Sequence, residues 1–123
     1  MNLDKKLIDK FVNITSSAAV ACHKYVGKND KLAADKAATD NMRKNLNKLE
    51  INGEVVIGEG ELDYAPMLYI GEKLGTGNGP KIDIAVDPLE GTNFAAKNLP
   101  GALSVIAISL KGNLFNAPET YMD

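Results

Sequence analysis

The hydrophobic pattern of this chain changes period once, at Asn52-Gly53, and that change limits the fold more than any other feature. Before it, Leu7, Ile8, Phe11, Val12, Ile14, Thr15, Ala18, Ala19 and Cys22 recur at intervals of mostly three and four. That is one stripe of a long helix over Leu3–Val26, with Gly27 as its stop. After the polar turn KNDK, Ala34, Ala37, Ala38, Met42, Leu46 and Leu49 repeat the spacing and predict a second helix over Leu32–Leu49. Beyond Asn52-Gly53 the apolar runs become short. Glu54–Glu61 (EVVIGEGE), Ile82–Asp87 and Ala102–Leu110 read as strands, the last leading through a Lys-Gly-Asn hairpin turn to Leu114-Phe115. Pro66–Lys73 reads as a short helix with Pro66 in its first turn, and GTGNGP, Gly75–Pro80, as a loop. Two helices followed by strands predict an α/β or layered α+β fold, and neither a repeat nor a linker divides the chain.

At 123 residues and 45% hydrophobic content, the chain can build one domain around a real core. Its formal net charge of -2, with lysines scattered along the sequence, gives no basic footprint for nucleic acid or an anionic membrane. A small-molecule partner is therefore the expectation. The single cysteine, Cys22, excludes an internal disulfide and fits a reducing compartment, or a secreted protein without bridges. Met1–Lys10 mixes charged and apolar residues without a signal-like apolar core, so the expected location is the cytoplasm.

The chemistry concentrates in IDIAVDPLEGTN, Ile82–Asn93. Alternation in the strand puts Ile82, Ile84 and Val86 on one face and Asp83, Ala85 and Asp87 on the other. Pro88 cannot donate to a ladder, so the chain is expected to leave the sheet there and return Glu90 beside Asp87 through a turn that Gly91 permits. Two adjacent carboxylates repel unless a cation neutralises them, and an all-oxygen set suits Mg²⁺ or Mn²⁺. Gly91 and Thr92 can open a short helix, Thr92–Lys97, whose first amides suit a phosphate. Glu59 and Glu61 share a face at the end of their strand, Asp63 follows, and Asp35 stands early in the second helix after Lys28 and Lys31. Acidic groups at the ends of separate elements suit a site of two or more metals for phosphoryl transfer.

DPLEGT resembles the D-P-[IL]-[DE]-G-[ST] signature of the lithium-sensitive, metal-dependent sugar and inositol phosphatase superfamily. With GKNDKLAADKAA (27–38), VVIGEGELDYAPMLYIGEKLGTG (55–77) and NAPETYM (116–122), the chain resembles class II, bacterial-type fructose-1,6-bisphosphatase. Glu90 in place of the inositol phosphatases' second Asp, and the IGEGE segment, favour that branch. The resemblance implies a sugar-phosphatase fold with two N-terminal helices before a mixed sheet, and hydrolysis of the 1-phosphate of fructose 1,6-bisphosphate in gluconeogenesis. It implies Mn²⁺ or Mg²⁺ as cofactor, a sugar bisphosphate as substrate, and a homo-oligomer at full length. Asp35 and Glu59 match ligands of one metal, and Asp87 and Glu90 those of a second. Glu90, Gly91 and Thr92 match the stretch that touches the substrate phosphate, Thr92 also orients the attacking water, and Tyr121 matches a substrate-binding tyrosine. Lys31, Glu61 and Asp63 fall in motifs that line the family's site. The resemblance covers only the N-terminal portion of the family's length. A further acidic ligand and basic groups for the sugar phosphate have no counterpart here, so the chain is read as a piece missing its C-terminal part, inactive or nearly so by itself.

Blander readings stand beside these. DPLEGT could be a solvated turn, GEGE an acidic strand end, and Asp35 a carboxylate favoured by the helix dipole. GTGNGP precedes a strand instead of following one, which makes it a connector rather than a dinucleotide loop. Cys22 and His23 lack ligand or nucleophile spacing and read as a packing and a surface residue. The alternative functions are a related phosphomonoesterase, acting on sedoheptulose 1,7-bisphosphate or inositol phosphate, and a non-catalytic remnant.

Overall fold

The structure, a computed structural model, describes residues 3–59 and 67–116. Two helices come first, α1 (Lys5–His23) and α2 (Lys31–Leu46). Both are capped by aspartates: Asp4 accepts from the Lys6 amide at 3.3 Å and Asp30 from the Ala33 amide at 3.0 Å. The inward face of α1 carries Phe11, Ile14, Ala18 and Cys22, and that of α2 carries Ala34, Ala38, Met42 and Leu46. Ile8 and Val12, which the helical stripe also included, stay exposed at 42% and 57%, so the buried stripe is narrower than expected. Alanines on α2 let the two helices lie close, and both pack on the sheet.

The sheet has the order β2-β1-β3-β4, from β1 (Asn52–Ile57), β2 (Lys73–Leu74), β3 (Lys81–Glu90) and β4 (Leu103–Leu110). β1 and β3 are parallel and the outer pairs antiparallel, so the sheet is mixed. Ile82, Ile84 and Val86 enter the helix-facing core as the alternation predicts. Asp83, also buried, accepts the Gly112 amide at 2.7 Å, which fixes the turn after β4 and makes this aspartate structural. Residues 114–116 add no strand after that turn.

Two further expectations fail for physical reasons. No helix forms over 67–72, and Lys73–Leu74 is instead a strand. The backbone groups a helix would use are taken by β1 and its continuation: Glu59 donates to the Leu68 carbonyl at 2.8 Å, Gly71 to Val55 at 2.8 Å, and Val55 to Glu72 at 3.0 Å. Arg43 of α2 adds a bidentate pair with Glu72, at 2.8 and 3.0 Å, and a bond to the Met67 carbonyl. The segment is thus tied down from both sides in an irregular path. Pro66 lies outside the described residues.

The second failure concerns Pro88. The strand does not end there; β3 runs on to Glu90, which pairs with Leu103. From the Asp87–Val105 pair to the Glu90–Leu103 pair, β3 advances three residues while β4 advances two. The extra residue makes a β-bulge, where a proline without an N–H is tolerated.

Candidate active site

In a regular strand, residues three apart point to opposite faces. The bulge at Pro88-Leu89 inserts one residue and returns Glu90 to the side of Asp87, close enough for the two carboxyl groups to interact. β1 carries a matching irregularity between Val55 and Ile57, next to Gly58 and Glu59. Both irregularities sit at the C-terminal ends of the parallel pair. The expected nearness of Asp87 and Glu90 is present, produced by a bulge inside the strand rather than by a turn beyond it.

Gly91, in the left-handed conformation at φ 77°, then reverses the chain into α3 (Thr92–Ala96), one residue shorter than expected. A side chain at Gly91 would meet the Phe94 ring at 2.9 Å. Phe94 and Ala95 donate to the Gly91 carbonyl, and helix geometry leaves the amides of Thr92 and Asn93 without an intrahelical acceptor. The end of α3 also anchors the turn between α1 and α2: Gly27 donates to the Ala95 carbonyl at 3.0 Å and Asn29 to Ala96 at 2.8 Å. These bonds set the start of α2 beside the bulge.

Asp35 lies beyond the first turn of α2, because Asp30 is the cap and Lys31 the first helical residue. A dipole-favoured carboxylate would sit nearer the cap and titrate low. The Asp35 carboxyl is instead pushed upward by burial, and its Oδ1 has no hydrogen-bond partner among the described residues. Asp87 is raised to about 7, first by burial, then by the hydrogen bond and negative charge of Glu90, with a smaller contribution from Asp35. The Leu89 amide opposes the shift by donating to the carboxylate. α2 and the β3 bulge therefore place Asp35, Asp87 and Glu90 in one electrostatic neighbourhood.

The remaining candidates are less tightly drawn in. Glu59 is half-buried just past β1. Lys31 is exposed at the head of α2 and makes no ion pair among the described residues. Glu61, Asp63 and Tyr121 lie outside the described residues. Among the described residues no three His, Cys, Asp or Glu side chains already form a group able to hold a metal ion. Gly58 serves packing: a Cβ there would meet the Leu68 carbonyl oxygen at 2.4 Å, so glycine admits the 67–72 segment against β1. Thr39, four residues after Asp35 on α2, is buried with its Oγ1 without a hydrogen-bond partner among the described residues.

Residues 5–123 match the family model described as bacterial fructose-1,6-bisphosphatase, glpX-encoded. The chain belongs to that family. Among curated relatives, it is 52% identical over 120 residues to the D-fructose 1,6-bisphosphatase class 2/sedoheptulose 1,7-bisphosphatase of Synechococcus sp. (strain CC9902), covering 98% of this chain and 36% of that protein. It is also 52% identical over 119 residues to fructose-1,6-bisphosphatase 1 class 2 of Escherichia coli (strain K12), covering 97% of this chain and 35% of that one. The chain thus spans about a third of the length of these relatives. Among solved structures, an extragenic suppressor from Pyrococcus furiosus matches with a TM-score of 0.58 at 19% identity, over 87% of this chain and 41% of that chain, a likeness of fold alone. As a member of the bacterial fructose-1,6-bisphosphatase family, the chain has the α/β architecture expected of it, two N-terminal helices followed by a mixed sheet. No helix among the described residues is long and apolar enough to cross a membrane.

Proposed function

We propose that this chain carries part of the active site of a cytoplasmic sugar-bisphosphate phosphatase that removes the 1-phosphate of fructose 1,6-bisphosphate to give fructose 6-phosphate, in the gluconeogenic direction. The observation that carries the reading is the bulge-built carboxyl pair Asp87–Glu90, with Asp35 raised by burial beside it. Crowded carboxyl oxygens, one of them buried without a partner at Asp35 Oδ1, fit a hard divalent cation. Asp35, Glu59, Asp87 and Glu90 would hold Mn²⁺ or Mg²⁺. Such an ion, when bound, acidifies water and neutralises phosphate oxygens.

The chain's own residues do the positioning. The Thr92 and Asn93 amides face the phosphate, with Gly91 giving the backbone its approach, and Glu90 borders the same oxygens. The Thr92 hydroxyl orients the attacking water in line with the leaving sugar oxygen. Lys31 supplies positive charge at the rim; by the family resemblance Glu61 and Asp63 are assigned catalytic roles and Tyr121 a substrate-binding one. Positioning accounts for roughly 7–11 kcal/mol of a barrier, so the isolated chain, spanning about a third of its relatives, should turn over far more slowly than they do. The full-length assembly is a homo-oligomer in this reading.

A second substrate, sedoheptulose 1,7-bisphosphate, is favoured by the name of the Synechococcus relative, a D-fructose 1,6-bisphosphatase class 2/sedoheptulose 1,7-bisphosphatase. The test joins residues 1–123 to the remaining length of the Escherichia coli relative and measures phosphate release with Mn²⁺ from both bisphosphates and from inositol phosphate. Asp87→Asn should abolish release. Near-normal turnover in that variant, or a clear preference for inositol phosphate, would overturn the assignment.

A further inference from the structure

We infer that Thr39 is a positioning residue for Asp35, a role that rests on the metal-site reading above. Thr39 is 2% exposed, in the middle of α2, and its Oγ1 is buried without a hydrogen-bond partner among the described residues. A hydroxyl inside a helix normally satisfies itself by donating one turn back. Other hydroxyls of this protein do so: Thr15 donates to the Val12 carbonyl at 2.8 Å and Ser16 to the same oxygen at 3.1 Å. Thr39 makes no such bond. It faces a cavity of about 300 Å³ lined by Leu32, Asp35, Lys36, Thr39 and Met67.

The same cavity receives Asp35, whose Oδ1 is the other buried oxygen of α2 without a partner. Two unsatisfied oxygens one helical turn apart, in a cavity otherwise lined by Leu32, Met67 and Lys36, whose ammonium is paired with Asp40, are a costly arrangement for packing alone. Valine has almost the shape of threonine and would fill the position without the loss. The space easily admits a water molecule, which needs only about 10–15 Å³ and two or more polar partners. Through that water the Thr39 hydroxyl donates toward Asp35 Oδ1 and fixes the carboxylate's orientation toward the bulge. Groups in this relation to a ligand typically alter metal affinity by roughly 10–100-fold when removed.

The experiment uses the 123-residue chain, with Thr39→Val, Thr39→Ser and Asp35→Asn compared with the unaltered protein. Mn²⁺ affinity is read from the electron paramagnetic resonance signal of free Mn²⁺, and thermal melting is followed separately in chelator. Thr39→Val should weaken Mn²⁺ binding roughly tenfold or more while melting no lower than the parent, and Thr39→Ser should restore the affinity. Unchanged affinity in Thr39→Val, with loss in Asp35→Asn, would overturn this inference alone. So would a Thr39→Val chain that melts well below the parent, since the hydroxyl would then be structural. Absence of Mn²⁺ binding by the unaltered chain, or binding that Asp35→Asn leaves intact, would overturn the metal-site reading and this inference with it.

Discussion

Replacing Asp87 by asparagine should stabilise the metal-free protein above neutral pH, although the same change is expected to remove activity. The Asp87 carboxyl titrates at about 7 in the fold against 3.8 as its ordinary value, because burial and the Glu90 carboxyl both disfavour its charge. For an acid raised in this direction the native state binds the extra proton. The contribution of this group to stability is therefore full below about 3.8, falls as pH rises through the interval, and is lost once pH passes about 7. At about 1.36 kcal/mol per pH unit, the interval from 3.8 to about 7 corresponds to a ceiling of about 4 kcal/mol. The carboxyl is half-buried, and solvent screening reduces the expected loss to about 2 kcal/mol. Asparagine keeps the shape and can still hydrogen-bond Glu90, without a charge to bury. Urea unfolding in chelator should show the unaltered chain about 1 kcal/mol less stable at pH 8 than at pH 5, since part of the loss has already occurred by pH 5, and Asp87→Asn with a smaller drop. At pH 8 the variant should be the more stable of the two. Equal pH dependence in both proteins, or a variant less stable at pH 8, would refute the argument that Asp87 and Glu90 are held together at a cost to the fold.

Gly58→Ala should destabilise the chain by roughly 2 kcal/mol or more, because the new methyl meets the Leu68 carbonyl oxygen at 2.4 Å and Val55 Cγ1 at 2.7 Å, and the former is backbone that cannot swing aside. A thermal melt within about a degree of the parent would show that the 67–72 segment does not press on β1. Arg43→Met should cost roughly 2–4 kcal/mol by leaving the buried Glu72 carboxylate without its bidentate partner, and hydrogen exchange should become faster in the 67–74 segment before it does in α1. Uniformly unchanged exchange would remove Arg43 as the tie between α2 and that segment.

Much of this protein is local and therefore written in its sequence. The helical stripes of α1 and α2, the apolar alternation of Ile82, Ile84 and Val86, and the Gly91 reversal into α3 each depend on residues within one or two turns of one another. The DPLEGT hexapeptide was legible as chemistry for the same reason, since carboxylate, proline, carboxylate and glycine lie in one short run. The tertiary structure decided what neighbours in space decide. Whether Pro88 ends β3 or bulges it depends on β4 offering Leu103 to Glu90. Whether 67–72 coils depends on β1 and Arg43 claiming its backbone and Glu72. The standing of Asp35 and Thr39 likewise depends on burial between α2 and its surroundings, which raises one carboxyl and leaves two oxygens unsatisfied. A pattern of residue types fixes which groups can pair; only the folded chain, by excluding water and setting competing partners side by side, fixes which of them do.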